Sequence, residues 1–215
     1  EQKAVEYFEK AANLGDIKAI NSLGVCYLYG KGVAKDEQKA VEYFEKAAIL
    51  GNINAINNLG VCYLYGTGVA KDEQKAVEYF QKAADWGNIN AIKILISCYL
   101  IGKGVTKDTQ KVREYLEQSV ALRYIDSIYN LGMCYLEGKG VAKDEQKVVE
   151  YFQKAANLGD INAIYNLGVC YLVGKVVTKD EKKCVEYFQK AAGLGHINAI
   201  YNLGVCYLEG KGVTK

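Results

Sequence analysis

The sequence predicts an all-α fold, an α/α solenoid of about six helix–turn–helix repeats of 36 residues. Three observations predict it. A Leu-Gly-x-Cys-Tyr motif recurs every 36 residues, with one glycine exchanged. Each period carries two amphipathic helical patterns. Proline is absent from all 215 residues. A fixed period between about 20 and 50 residues marks a repeat array in which each repeat buries its apolar face on its neighbours. A chain without proline, with glycines at its turns, is mostly helix.

The register follows from Leu23, Leu59, Leu95, Leu131, Leu167 and Leu203, with no insertion or deletion between them. In the second repeat Ala55, Leu59, Cys62 and Tyr63 form one face of a first-type helix. Ala76, Phe80, Ala83 and Ala84 do the same for a second-type helix. Asp72 precedes that helix and is expected to cap its free N–H groups, a role repeated by Asp36, Asp108, Asp144 and Asp180. Gly66 and Gly87 should end the two helices in the left-handed conformation. Gly60 lies on the apolar side of the first helix, where close approach of another helix offsets its poor helix propensity. The pattern opens with a lone second-type helix (Glu1 to Leu14) and closes after a first-type helix, in the turn 211–215, which makes twelve helices. Residues 1–215 therefore read as a single array, an excerpt of a longer chain that starts and ends within a repeat. Neither end reads as a polar cap, so end-to-end self-association through sticky ends is expected.

Composition excludes several classes. Lys and Arg number 27 against 25 Asp and Glu, so no basic face for nucleic acid is expected. No run of about eighteen apolar residues exists, so no membrane insertion is expected. A signal-peptide pattern is not seen at the first residues.

The string running from Leu59 through Gly87 resembles the Sel-one-like repeat, a branch of the tetratricopeptide superfamily with a longer turn between its helices. The matching residues are Leu59, Gly60, Tyr63, Gly66, Gly68, Val69, Asp72, Lys75, Ala76, Tyr79, Phe80, Ala83, Ala84 and Gly87. The resemblance implies a right-handed superhelix with a concave face lined by first-type helices, and a role as an adaptor, including signalling adaptors. Three positions depart from the pattern: Ile96 for the close-packing glycine, Arg123 for a helix-ending glycine, and Val176 for the second turn glycine. The first two should open or tilt local packing, and Val176 should change the turn or strain it.

No catalytic constellation is seen, so no catalytic, cofactor-binding or metal residues are expected. His196 is the one histidine and stands where sister repeats have Asp16, Asn52, Asn88 and Asp160, an exposed loop residue rather than part of a triad or metal site. The G-K-G-V turns follow helices rather than strands, a poor fit to a phosphate cradle. Cys26, Cys62, Cys98, Cys134, Cys170 and Cys206 form one row. Neighbouring layers lie roughly 8–10 Å apart, too far for the ~5.5 Å that a disulfide needs between Cα atoms. Secreted relatives carry two cysteines per repeat; mostly one here points to a reducing, cytoplasmic compartment. Cys184 replaces the alanine of Ala40 and Ala76, and a bridge from it to a row cysteine stays open.

The remaining face suits binding. Alignment with the tetratricopeptide pattern implies that one groove row is Asn21, Asn57, Lys93, Tyr129, Tyr165 and Tyr201, and a second Lys18, Asn54, Asn90, Asp126, Asn162 and Asn198. Leu28, Leu64, Leu100, Leu136, Leu172 and Leu208 run along the helix ends, beside a row that includes Tyr29 and Tyr65. Tyrosine supplies apolar area at little entropy cost and asparagine pairs with peptide groups. Arg113 and Arg123, the only arginines, form a secondary candidate site in the third repeat. The expected function is a scaffold holding a partner peptide or helix in the concave groove. A structural spacer or self-associating rod, and a hydrolase-like enzyme, are the alternatives.

Overall fold

The computed structural model describes residues 1–213; Thr214 and Lys215 of the expected closing turn lie outside the described residues. The described chain is all-α and falls into two compact units, divided after Asp108. The N-terminal unit holds α1 (Gln2–Asn13), α2 (Ile17–Tyr29), α3 (Glu37–Ile49), α4 (Ile53–Tyr65), α5 (Glu73–Asp85) and α6 (Ile89–Ile101). The C-terminal unit holds α7 (Thr109–Ala121), α8 (Ile125–Glu137), α9 (Glu145–Asn157), α10 (Ile161–Val173), α11 (Glu181–Gly193) and α12 (Ile197–Glu209). Within each unit every helix packs on the one before and the one after, the pattern of a helical-repeat solenoid. Even-numbered helices are of the first type and odd-numbered helices of the second.

Local chemistry explains why the same hairpin recurs. The carboxylates of Asp36, Asp72, Asp144 and Asp180 accept the N–H three residues on, at 2.9–3.0 Å, and start α3, α5, α9 and α11. Asp16, Asn52, Asn88 and Asp160 start α2, α4, α6 and α10 in the same way. Gly66 ends α4 in the left-handed conformation at φ 73°. There the Cys62 carbonyl accepts from both Gly66 N–H (2.8 Å) and Thr67 N–H (2.9 Å). The turn then folds back, and Asp72 N–H donates to the Tyr63 carbonyl at 2.9 Å.

The core of four hairpins is a glycine against a phenylalanine. Phe44, Phe80, Phe152 and Phe188 are wholly buried. A Cβ added at Gly60 would lie 2.6 Å from the Phe80 ring, and one at Gly24 2.6 Å from Phe44. Missing Cβ atoms thus let ring and helix backbone touch, as expected for Gly60. Burial of each ring contributes roughly 1.5–3 kcal/mol.

The departures behave unequally. Arg123 takes φ +59°, the one described non-glycine residue at positive φ. Its N–H donates to Val120 O at 2.9 Å and Tyr124 N–H to Ser119 O at 3.1 Å, the pairing that Gly87 and Asn88 make with Ala84 and Ala83. The turn therefore does not open, contrary to expectation, and the cost is left-handed strain of about 1–2 kcal/mol. Ile96 leaves α6 a regular helix of thirteen residues, half-buried at that site. The phenylalanine position of the same repeat is Leu116, so both members of the pair change together. Val176 is absent from the positive-φ residues, unlike Gly68 (φ +71°) and its sisters, so here the turn itself changes. Gly174 N–H still bonds to Cys170 O at 3.0 Å, but among the described bonds Lys175 lacks the second one that Thr67 makes in its repeat.

Candidate partner-binding face

The first-type helices α2, α4 and α6 of one unit, and α8, α10 and α12 of the other, present the rows expected to bind. Asn54 and Asn90 in the N-terminal unit, and Asn162 and Asn198 in the C-terminal unit, are exposed. Asn54 Oδ1 accepts from Asn88 Nδ2 at 3.2 Å, which orders one side of that amide. Lys93 and Tyr201 are also exposed.

The neighbouring row is instead knitted into the packing. Asn58 Nδ2 donates to Asn21 Oδ1 at 3.1 Å, Asn166 Nδ2 to Tyr129 Oη at 2.9 Å, and Asn202 Nδ2 to Tyr165 Oη at 3.2 Å. Each bond joins one first-type helix to the next across 37 residues. Tyr129 stacks on Phe152 at 5.6 Å between ring centroids, and Tyr165 on Phe188 at 5.7 Å. Burial pushes the Tyr129 phenol above its usual range, against the smaller opposing effect of Asn166. Tyr129 and Tyr165 are thus half-buried packing residues with one edge on the face. Asn57 departs further: it is buried, and its Oδ1 has no hydrogen-bond partner. The position that supplies the asparagine donor in sister repeats is Ile94 here, which accounts for the orphan.

His196 is not the idle loop residue expected. Its Nδ1 accepts the Ala199 N–H at 3.2 Å and caps α12, while its ring stacks on Tyr165 at 4.3 Å. Tyr29 and Tyr65 stand exposed at the helix ends with Lys31 and Lys103 over their rings at 5.7 and 5.4 Å. Of the leucines beside them, Leu64 is buried and Leu28, Leu136 and Leu172 are half-buried, so that row mostly packs. In the secondary candidate site Arg113 is engaged by Glu117 at 2.8 Å, whereas Arg123 is exposed in its turn.

Two features escaped the sequence reading. The motif tyrosines pair with second-type helices: Tyr27 with Tyr43, Tyr63 with Tyr79, Tyr135 with Tyr151 and Tyr171 with Tyr187, stacked at 5.4–5.7 Å. Lys39 and Lys75 lie 4.2 Å from the centroids of Tyr27 and Tyr63, and Lys147 Nζ donates to Tyr135 Oη at 3.1 Å. Large apolar side chains also stand exposed where second-type helices end: Leu14, Leu50 and Trp86 in one unit, Leu122, Leu158 and Leu194 in the other. Their 36-residue spacing was a visible signal.

The row cysteines are buried free thiols. Burial pushes Cys62 and Cys170 up to about 11, which keeps them neutral packing groups. Among the described residues no cluster of three or more His, Cys, Asp or Glu could hold a metal, and no helix is long and apolar enough to cross a membrane.

Fold and face together define a helical-hairpin repeat protein. The chain belongs to the Sel1 repeat family, whose profile matches residues 1–16, 17–52, 53–88, 97–124, 125–160, 161–196 and 197–215. The first stretch covers only a lone second-type helix ahead of Leu23, which reconciles these seven stretches with six motif periods. The chain is similar to the protective antigen c5321 of uropathogenic Escherichia coli, which displays an SLR fold. That likeness has a TM-score of 0.83 and 32% identity over 95% of this chain, which spans only 44% of the other. A Sel1 repeat protein from Oxalobacter formigenes matches with a TM-score of 0.74 and 32% identity, covering 97% of this chain and 85% of its own. No curated protein sequence matches the chain. Proteins of Sel1 repeats are generally protein-interaction scaffolds and typically non-catalytic.

Proposed function

We propose that this chain is a scaffold that holds an extended segment of a partner protein along the exposed asparagines of the first-type helices within a unit. One observation carries the reading. Asn54, Asn90, Asn162 and Asn198 occupy one repeat position and remain exposed, beside a row already cross-bonded from helix to helix. An amide side chain offers a donor and an acceptor, the complement of a peptide group. Because the neighbouring Tyr129 and Tyr165 are fixed by stacking and hydrogen bonds, little ordering cost remains for binding. The exposed Lys93 and Tyr201 would add charge and aromatic contact at particular repeats.

The test is site-specific photocrosslinking in lysate. A photoreactive residue replaces Asn90 or Asn162 in one pair of baits, and exposed Glu78 or Glu186 of the second-type helices in another. Partner adducts from the asparagine positions alone support the reading. Adducts competed away by a synthetic peptide from that partner would define the segment. Equal labelling from both helix types would sink it.

A further inference from the structure

Cys184 breaks the repeat. Its counterparts are Ala40, Ala76, Val112 and Val148. It lies in the first turn of α11, and Cys206 lies in the last turns of α12, the next helix of the hairpin. The two helices pack on each other, so the hairpin brings these ends level. Both cysteines are buried in one apolar cluster with Val185, Phe188 and Ala199. Burial first, and then the neighbouring Cys206, raises the Cys184 thiol, and both are free thiols. In the N-terminal unit the equivalent cluster places Cys62 with Ala40, which has no sulfur to offer.

We propose that Cys184 and Cys206 are an oxidisable pair that closes to an intramolecular disulfide and staples α11 to α12, with a peroxide as oxidant. The net step breaks two S–H bonds and forms one S–S bond. The peroxide O–O bond accepts the two electrons and two protons and leaves as two waters. Because a thiolate is the attacking species, the rate rises with pH. The closed loop contains His196, which caps α12 and stacks on Tyr165, so oxidation rigidifies the end of the asparagine-bearing face. This inference does not depend on which partner that face holds.

The experiment treats the full chain with hydrogen peroxide at rising pH, then counts thiols by alkylation in denaturant and maps peptides by mass spectrometry. The expected result is the loss of two of the seven thiols and a peptide pair linking Cys184 to Cys206. A rise in melting temperature on the order of 5 °C should accompany it and be reversed by dithiothreitol. Cys184→Ala, which installs the residue of the first two repeats, should abolish the link, and Cys62→Ala should preserve it; circular dichroism confirms both folds. A disulfide between any other pair, equal thiol loss in Cys184→Ala, or seven thiols retained by a folded, peroxide-treated chain would overturn the proposal.

Discussion

Asn166 donates through Nδ2 to the hydroxyl of Tyr129, 37 residues earlier, at 2.9 Å. The same rung joins Asn202 to Tyr165 and Asn58 to Asn21, and it fails at Asn57, where Ile94 replaces the donor. A buried amide oxygen without a partner carries its full desolvation cost. Asn57→Leu, which keeps the size and removes the orphan, is expected to stabilise the chain by about 1 kcal/mol. Urea unfolding followed by circular dichroism reads this, and a lower midpoint would show that Oδ1 is satisfied by bound water.

The glycine–phenylalanine contact makes an opposite forecast for a substitution that helix propensity favours. Gly60→Ala gains about 1 kcal/mol of propensity. Its new Cβ would sit 2.6 Å from the Phe80 ring. Overpacking of that kind costs about 1–3 kcal/mol, so net destabilisation is expected. Phe80→Leu, the residue type of Leu116, should lower the penalty of Gly60→Ala in a double-mutant cycle. Simple additivity of the two changes would contradict the contact.

Arg123 holds a glycine's conformation without a glycine's freedom. Arg123→Gly should therefore stabilise the 122–124 turn by about 0.5–1 kcal/mol, the left-handed strain less the added chain entropy. Thermal melts of the two chains, compared at matched concentration, decide it.

His196 caps α12 with a lone pair that alanine lacks. His196→Ala is expected to cost about 1 kcal/mol, and His196→Asp, the choice of Asp16 and Asp160, should recover it. If His196→Asp melts as low as His196→Ala, stacking on Tyr165 rather than capping holds this residue.

Buried thiols set an alkaline limit. Cys62 and Cys170 are raised from 9.0 to about 11 by desolvation, so the folded chain keeps protons that the unfolded chain loses first. Their contribution is present below about 9 and fades as pH rises toward about 11, the sign for a raised folded value. Stability is expected to fall across that window, and iodoacetamide at pH 8 should spare both thiols until denaturant is added.

The fold was legible because its determinants are local and repeated. Asp36, Asp72, Gly60 and Gly66 announce caps, close approach and turns without knowledge of distant partners. The face was less legible because exposure at one repeat depends on a residue 37 positions away. Asn57 and Asn21 look alike in sequence, yet Ile94 leaves one without the donor that Asn58 gives the other. Tyr165 reads as a free aromatic until His196, 31 residues on, is found stacked on it. Arg123 signalled a broken turn, and only the backbone shows that arginine accepted the glycine's angles. The tyrosine pairs were invisible because pairing Tyr63 with Tyr79 requires the hairpin geometry itself.

The asparagine rungs also bear on how such a chain finds its order. Hairpins as alike as these are interchangeable parts: a slip of one period would keep the caps, the turns and most ring–glycine contacts. Repeat chains are prone to misassembly and swapping for that reason. What a slip would scramble is the match of acceptor to donor, an amide at Asn21 but a phenol at Tyr129 and Tyr165. Those few unlike residues act as page numbers in an otherwise uniform stack, and erasing them should slow correct refolding more than it lowers stability.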